Sequence, residues 1–148
     1  MQIQKQGNQN QYEVTTLGRI ISLEYGEGLP ERKREEGGYP VFGSNGIVGY
    51  HNKPIVKGPG IVVGRKGSIG EVAWYNSDFW PIDTTYYVKT RLENISFKWL
   101  FYLLSHLKLK NLNTATSIPR LNRNDVYLLK CILPPYLEQE KLHLFFQI

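Results

Sequence analysis

GGYPVFGSNGIVGY, at Gly37–Tyr50, and GPGIVVGRKGSIGEVAWY, at Gly58–Tyr75, decide how this chain folds. FWPIDTTYY, at Phe79–Tyr87, closes the same block. Apolar runs this short, broken by glycine and rich in β-branched and aromatic residues, read as strands joined by turns. Pro40-Val41-Phe42 is a strand stopped by Gly43-Ser44-Asn45-Gly46, and Ile47–His51 returns beside it. Asn45-Gly46 is the dipeptide that most readily supplies positive φ at both centres of a tight hairpin turn. Gly60–Arg65 and Ile69–Tyr75 pair as a second hairpin across Lys66-Gly67-Ser68. Val72 and Trp74 alternate with Glu71, Ala73 and Tyr75, so they are expected to face the core. Thr84–Thr90 is a further strand.

Before this block, residues 1–12 read as a flexible polar leader. Val14–Ile21 suits a short helix started by Thr15 or Thr16, with a strand at Ile21–Tyr25 as an equal alternative. Gly26, Gly28 and Pro30 then break regular structure, and ERKREE at Glu31–Glu36 is a solvated charged loop. After the block the period changes to that of a helix. Ser96 is a good N-cap, and Trp99, Leu100, Leu103, Leu104 and Leu107 mark one face of a helix from about Ser96 to Lys108. A polar loop follows at Asn111–Ser117, then a helical turn through Asp125–Leu128 capped by Asn122 or Asn124. Leu129–Leu133 is a strand, and Pro134-Pro135 precedes a last helix from Tyr136 with Leu137, Leu142, Phe145 and Phe146 on its apolar side. The whole is a strand-rich α+β domain with later helices.

A length of 148 residues favours one domain, and 41% hydrophobic with 21% charged content is that of a soluble globular protein. The formal charge of +5 makes a polyanion a plausible partner. Its distribution says more: Tyr86–Lys130 holds eight basic residues against two acids. Cys131 has no partner cysteine and lies in an apolar run, which fits a buried thiol in a reducing cytoplasm. No stretch approaches the roughly 18 apolar residues of a membrane span.

Catalytic readings fail at named residues. In GRKGS at Gly64–Ser68 the glycine follows Lys66, the reverse of the order a phosphate-binding Walker loop needs. Pro134-Pro135-Tyr136 echoes the catalytic tetrapeptide of adenine methyltransferases, but Leu133 stands where Asp or Asn must hold the flipped base. Asp78 and Asp83 are unmarked as an acid/base pair, and His51, His106 and His143 lack metal-ligand spacing. Recognition remains. Turn-borne polar and basic groups on a β scaffold suit DNA, where arginine and lysine meet guanine or phosphate, asparagine meets adenine, and hydroxyls meet either. Ser44, Asn45, Arg65, Lys66, Ser68, Thr84, Thr85, Ser117 and Arg120 are the candidates, with Lys53 and Lys57 as secondary phosphate contacts.

The segments from Tyr39 to Gly49, GRKGSIGEV (Gly64–Val72), WPIDTTYYV (Trp80–Val88), SIPRLNRNDV (Ser117–Val126) and LPPYLEQEKL (Leu133–Leu142) stand in an order that resembles one family. The chain resembles a single target recognition domain of the specificity subunit of type I restriction-modification enzymes. The resemblance covers roughly Thr16 to the C-terminus. It implies an α+β fold whose β part resembles a double β-helix, over residues 13–135, with a conserved spacer helix starting at residues 136–148. It implies no catalysis and no cofactor in this chain, double-stranded DNA as ligand, and methyltransferase and restriction subunits as partners. Those partners bring S-adenosylmethionine, ATP and magnesium. A typical specificity subunit carries two such domains and long antiparallel helices, so this chain reads as a fragment, a truncated product or a half subunit that pairs with another copy. The alternative reading is a protein-interaction module that dimerises or docks through its C-terminal helix.

Overall fold

GIVVG at Gly60–Gly64 (strand β5) is buried at every position, so it needs cover on both faces. The computed structural model, which describes residues 11–112 and 118–145 with side chains through Leu142, shows what supplies that cover. Residues 1–10 of the expected leader, Ser117 and Phe146 lie outside the described residues. In chain order the other elements are β1 (Glu13–Thr16), α1 (Leu17–Ile20), β2 (Ile21–Tyr25), β3 (Tyr39–Gly43), β4 (Gly46–His51), β6 (Val72–Tyr75), β7 (Trp80–Pro81), β8 (Thr85–Thr90), α2 (Phe97–His106), α3 (Arg123–Tyr127), β9 (Lys130–Leu133) and α4 (Tyr136–Phe145).

Among the described residues the strands form a four-stranded sheet β2-β8-β5-β6, a three-stranded sheet β4-β3-β7, and the pair β1-β9. The four-stranded sheet is antiparallel throughout. In the three-stranded sheet β3 runs antiparallel to β4 and parallel to β7. Ile61 and Val63 of β5 point into the main core with Leu17, Leu23, Trp99, Leu100 and Leu104. Val62 points the other way, onto Phe42 of β3 and Phe79. The order is therefore helices, then the four-stranded sheet, then the three-stranded sheet. Each such buried Val, Ile or Leu contributes roughly 1.5–3 kcal/mol of burial. On β6, Val72 and Trp74 pack against the main core as expected, while Tyr75 packs on the second cluster.

The N-terminal region holds both alternative elements, with an unforeseen strand before them. α1 and β2 follow each other directly, but Val14 lies in β1, opposite Ile132 of β9. Its partner lies near the other end of the chain, so local periodicity carries no sign of it. The first hairpin has Gly43 opposite Gly46, so Ser44 and Asn45 are its turn residues. Gly46 has φ +113, whereas Asn45 is not in the positive region. Positive φ at both Asn45 and Gly46 is therefore corrected: glycine alone takes the costly conformation, just after the turn. The second hairpin is also wider than expected, with residues 65–71 forming its loop.

Ser96 caps α2, its hydroxyl accepting from the Trp99 N–H at 3.2 Å. The α4 helix is anchored by Gln139, which is fully buried. Its side-chain oxygen accepts from the Ser96 N–H at 2.8 Å, and its amide donates to the Pro134 carbonyl at 2.9 Å. Leu142 packs on the main core, but Leu137 is 72% exposed. The expectation of a shared apolar side is corrected here: at about 100° per residue, positions five apart point well away from each other.

Candidate nucleic-acid interface

Gly64 starts the site. Its N–H donates to the Glu71 carbonyl at 2.8 Å, and the Gly70 N–H returns to the Gly64 carbonyl at 2.8 Å. A Cβ at Gly64 would run into the Ser68 carbonyl oxygen. The 65–71 loop therefore closes tightly on the end of β5. The Arg65 and Lys66 N–H groups both donate to the Thr84 carbonyl, at 2.9 and 3.1 Å. On the far side the Leu121 N–H donates to the Arg65 carbonyl at 2.9 Å, and Lys66 and Arg120 form an antiparallel bridge.

The first hairpin joins the same cluster. The Ser44 N–H donates to the Thr84 hydroxyl, the Ser44 hydroxyl accepts from the Ser68 N–H, and the Ser68 hydroxyl donates to Asn45 Oδ1, each at 3.3 Å. The fold thus brings together Ser44, Asn45, Arg65, Lys66, Ser68, Thr84 and Arg120. Asn45 and Arg120 are exposed, and Ser44, Arg65, Lys66, Ser68 and Thr84 are half-buried. Thr85 is corrected out of this set. It is fully buried, and its hydroxyl donates to the Ile82 carbonyl at 2.7 Å, because the β8 pleat turns it inward. Lys53 and Lys57 are exposed but line other concavities, the first beside His51 and Trp80, the second beside Ile55 and Phe97.

Beside the loop lies an open concavity of about 370 Å³ lined by Tyr25, Arg65, Tyr86, Arg120, Leu121, Asn122, Arg123 and Asn124. Arg65 Nη1 donates to the Asp83 carbonyl at 2.8 Å, and its guanidinium carbon lies 4.7 Å from the centre of the Tyr25 ring. Arg123 Nη1 donates to the Leu23 carbonyl at 3.0 Å, and its guanidinium carbon lies 4.5 Å from the same ring. Tyr86 donates its hydroxyl to the Leu121 carbonyl at 2.8 Å. Burial, then the neighbouring Tyr25, raises the Tyr86 pKa, while Arg65 works against that rise. Tyr25 and Arg123 were absent from the sequence-derived set. The signal for Arg123 was its place in a basic segment; Tyr25 carries no local signal, since only the fold sets it against two arginines.

Asp78 and His51 each hold a backbone N–H. Asp78 accepts from the Gly58 N–H at 2.9 Å. His51 Nδ1 accepts from the Glu35 N–H at 2.9 Å and the ring stands edge-on to Trp80. Burial raises the Cys131 thiol pKa. Among the described residues no three His, Cys, Asp or Glu side chains gather in a way that would hold a metal ion, and no helix is long and apolar enough to cross a membrane.

The S subunit of a type I restriction-modification system from M. genitalium superposes with a TM-score of 0.81 at 20% identity, over 99% of this chain and 41% of that one. A specificity subunit from Thermoanaerobacter tengcongensis gives 0.70 at 17% identity, over 92% of this chain and 36% of that one. In sequence, the EcoprrI type I restriction enzyme specificity subunit of Escherichia coli is 29% identical over 125 residues, 80% of this chain and 31% of that protein. The chain thus spans well under half the length of these relatives. The solved structures carry the same strand-rich α+β fold, and residues 9–147, nearly the whole chain, match the type I restriction modification DNA specificity domain. By that match the chain belongs to the family of type I restriction-modification DNA specificity domains.

Proposed function

We propose that this domain binds double-stranded DNA sequence-specifically, as the non-catalytic reading part of a type I restriction-modification specificity subunit. One observation supports this most: the Lys66–Arg120 bridge, with the Ser44–Ser68–Asn45 bonds, draws the two hairpin loops and the post-α2 segment onto one polar, basic, loop-built surface. Loops held this way suit an irregular ligand, and their side-chain types match the base and phosphate groups of DNA. Arg65, Lys66 and Arg120 would meet phosphate or guanine. Ser44, Asn45, Ser68 and Thr84 would meet base edges, and Lys53 and Lys57 would add outlying phosphate contacts. Ser117 joins this set on its residue type. The partners are methyltransferase and restriction subunits, which supply S-adenosylmethionine, ATP and magnesium. Pairing with a second half subunit through α4 belongs to the same reading, since Leu137 faces outward.

Selection from a pool of randomised duplexes tests the proposal. An enriched sequence whose binding weakens steeply between about 50 and 200 mM salt is expected, because phosphate contacts release counterions. Recovery of an unenriched pool refutes sequence-specific reading by this domain.

A further inference from the structure

Two guanidinium groups share one tyrosine ring. Arg65 and Arg123 lie 4.7 and 4.5 Å from the centre of Tyr25. Each is fixed by a neutral backbone carbonyl, Asp83 for Arg65 and Leu23 for Arg123. Among the described residues the ion pairs are Arg19–Glu13 and Lys141–Glu138, so neither of these arginines is neutralised by a carboxylate. The concavity that both line adds Arg120 and two asparagines and has no acidic lining residue. A ring face attracts a cation by roughly 0.5–2 kcal/mol, but it does not cancel charge. Like charges held in one hollow repel, and an anion relieves that repulsion. The carbonyl bonds also hold both planar groups in place before any ligand arrives, which lowers the ordering cost of binding.

We infer that the hollow lined by Arg65, Arg120 and Arg123 beside Tyr25 is a subsite for one phosphate group. On the reading of this domain as a DNA binder, that group is a phosphodiester of the DNA backbone. Arg123 then supplies sequence-independent attraction, while the Ser44, Asn45 and Ser68 cluster reads bases. Phosphates position and base edges specify, so the two groups of residues have separable effects.

The experiment uses the full chain and fluorescence anisotropy, with a selected duplex and an unrelated one, across a salt series. Arg123→Gln removes the charge while keeping a donor for the Leu23 carbonyl. It is expected to weaken both duplexes by the same factor, roughly tenfold or more. It is also expected to reduce the salt slope by about 0.9, the share of one phosphate. Arg123→Lys, which keeps the charge but not the fork, is expected to restore the slope with only part of the affinity. Arg65→Gln serves as a second variant at the same subsite if Arg123→Gln does not fold. An effect confined to the selected duplex, with an unchanged slope, overturns the subsite, as does no effect on either duplex. If the parent chain binds neither duplex, the DNA reading itself fails. The subsite is then judged with inorganic phosphate alone: a rise in melting temperature that Arg123→Gln abolishes upholds it, and no rise overturns it.

Discussion

Gln139 ties α4 to the N-terminal end of α2, so its removal gives a sharp test of the packing. Its side chain is fully buried and holds the Ser96 N–H and the Pro134 carbonyl. Gln139→Met keeps most of the volume and removes both polar contacts. Each buried partner left without a hydrogen bond costs about 1–3 kcal/mol, so the pair predicts a loss of about 2–6 kcal/mol. With a urea dependence of about 2 kcal/mol per molar for a protein of this size, the unfolding midpoint drops by roughly 1–3 M. Urea titration followed by tryptophan fluorescence reads this directly, since Trp99 is buried on α2 and its N–H bonds the same Ser96. Gln139→Glu separates the two contacts, because a carboxylate still accepts from Ser96 but no longer donates to Pro134. A midpoint that falls by less than about 0.3 M in Gln139→Met refutes the argument, since water would then be satisfying both groups.

Gly64→Ala is expected to break the 65–71 loop, because the new methyl meets the Ser68 carbonyl. DNA binding on the selected duplex should be lost, with a stability loss of about 1–3 kcal/mol in urea unfolding. Tyr86 has its pKa raised from an ordinary value of 10.0 chiefly by burial, so its protonated hydroxyl stabilises the fold below that pH and the contribution is lost as pH rises through the folded value. The melting temperature of the parent chain should therefore fall above about pH 10 more steeply than that of Tyr86→Phe. At pH 7 Tyr86→Phe should be about 1 kcal/mol less stable, from the lost bond to Leu121. Cys131 is buried with a raised pKa, so a maleimide or disulfide reagent at pH 7 should label it only as fast as the chain opens. Equal labelling of folded and urea-unfolded protein contradicts that burial.

The glycine-punctuated block was legible because its determinants are local. Both hairpins, the capping of α2 by Ser96 and the inward face of Val72 and Trp74 follow from residues a few positions apart. What was not legible depends on partners far along the chain. β1 exists because β9 pairs with it. Thr85 looked like a surface hydroxyl beside Thr84, yet the pairing of β8 between β2 and β5 turns it inward. Arg65, Lys66 and Arg120 were each readable as basic loop residues, but that Lys66 and Arg120 touch follows only from the bridge. Tyr25 shows the limit most clearly: an exposed tyrosine at a strand end gains its meaning from Arg65 and Arg123, which lie in two other segments.

The junction of Lys66 with Arg120 also bears on how such a surface changes by inheritance. The contact across it runs between main chains, from the Leu121 N–H to the Arg65 carbonyl. Any residue except proline at position 121 provides that donor. A recombination crossover within α2 would pair the hairpin loops of one parent with the Arg120 segment of another, and the backbone seam would still close. Surface side chains on the two sides can thus be reshuffled as blocks, while Leu121, Val126 and Leu133 must still fit the core they share with Leu17 and Ile61. Exchange of one block alone would leave the resulting surface half from each ancestor.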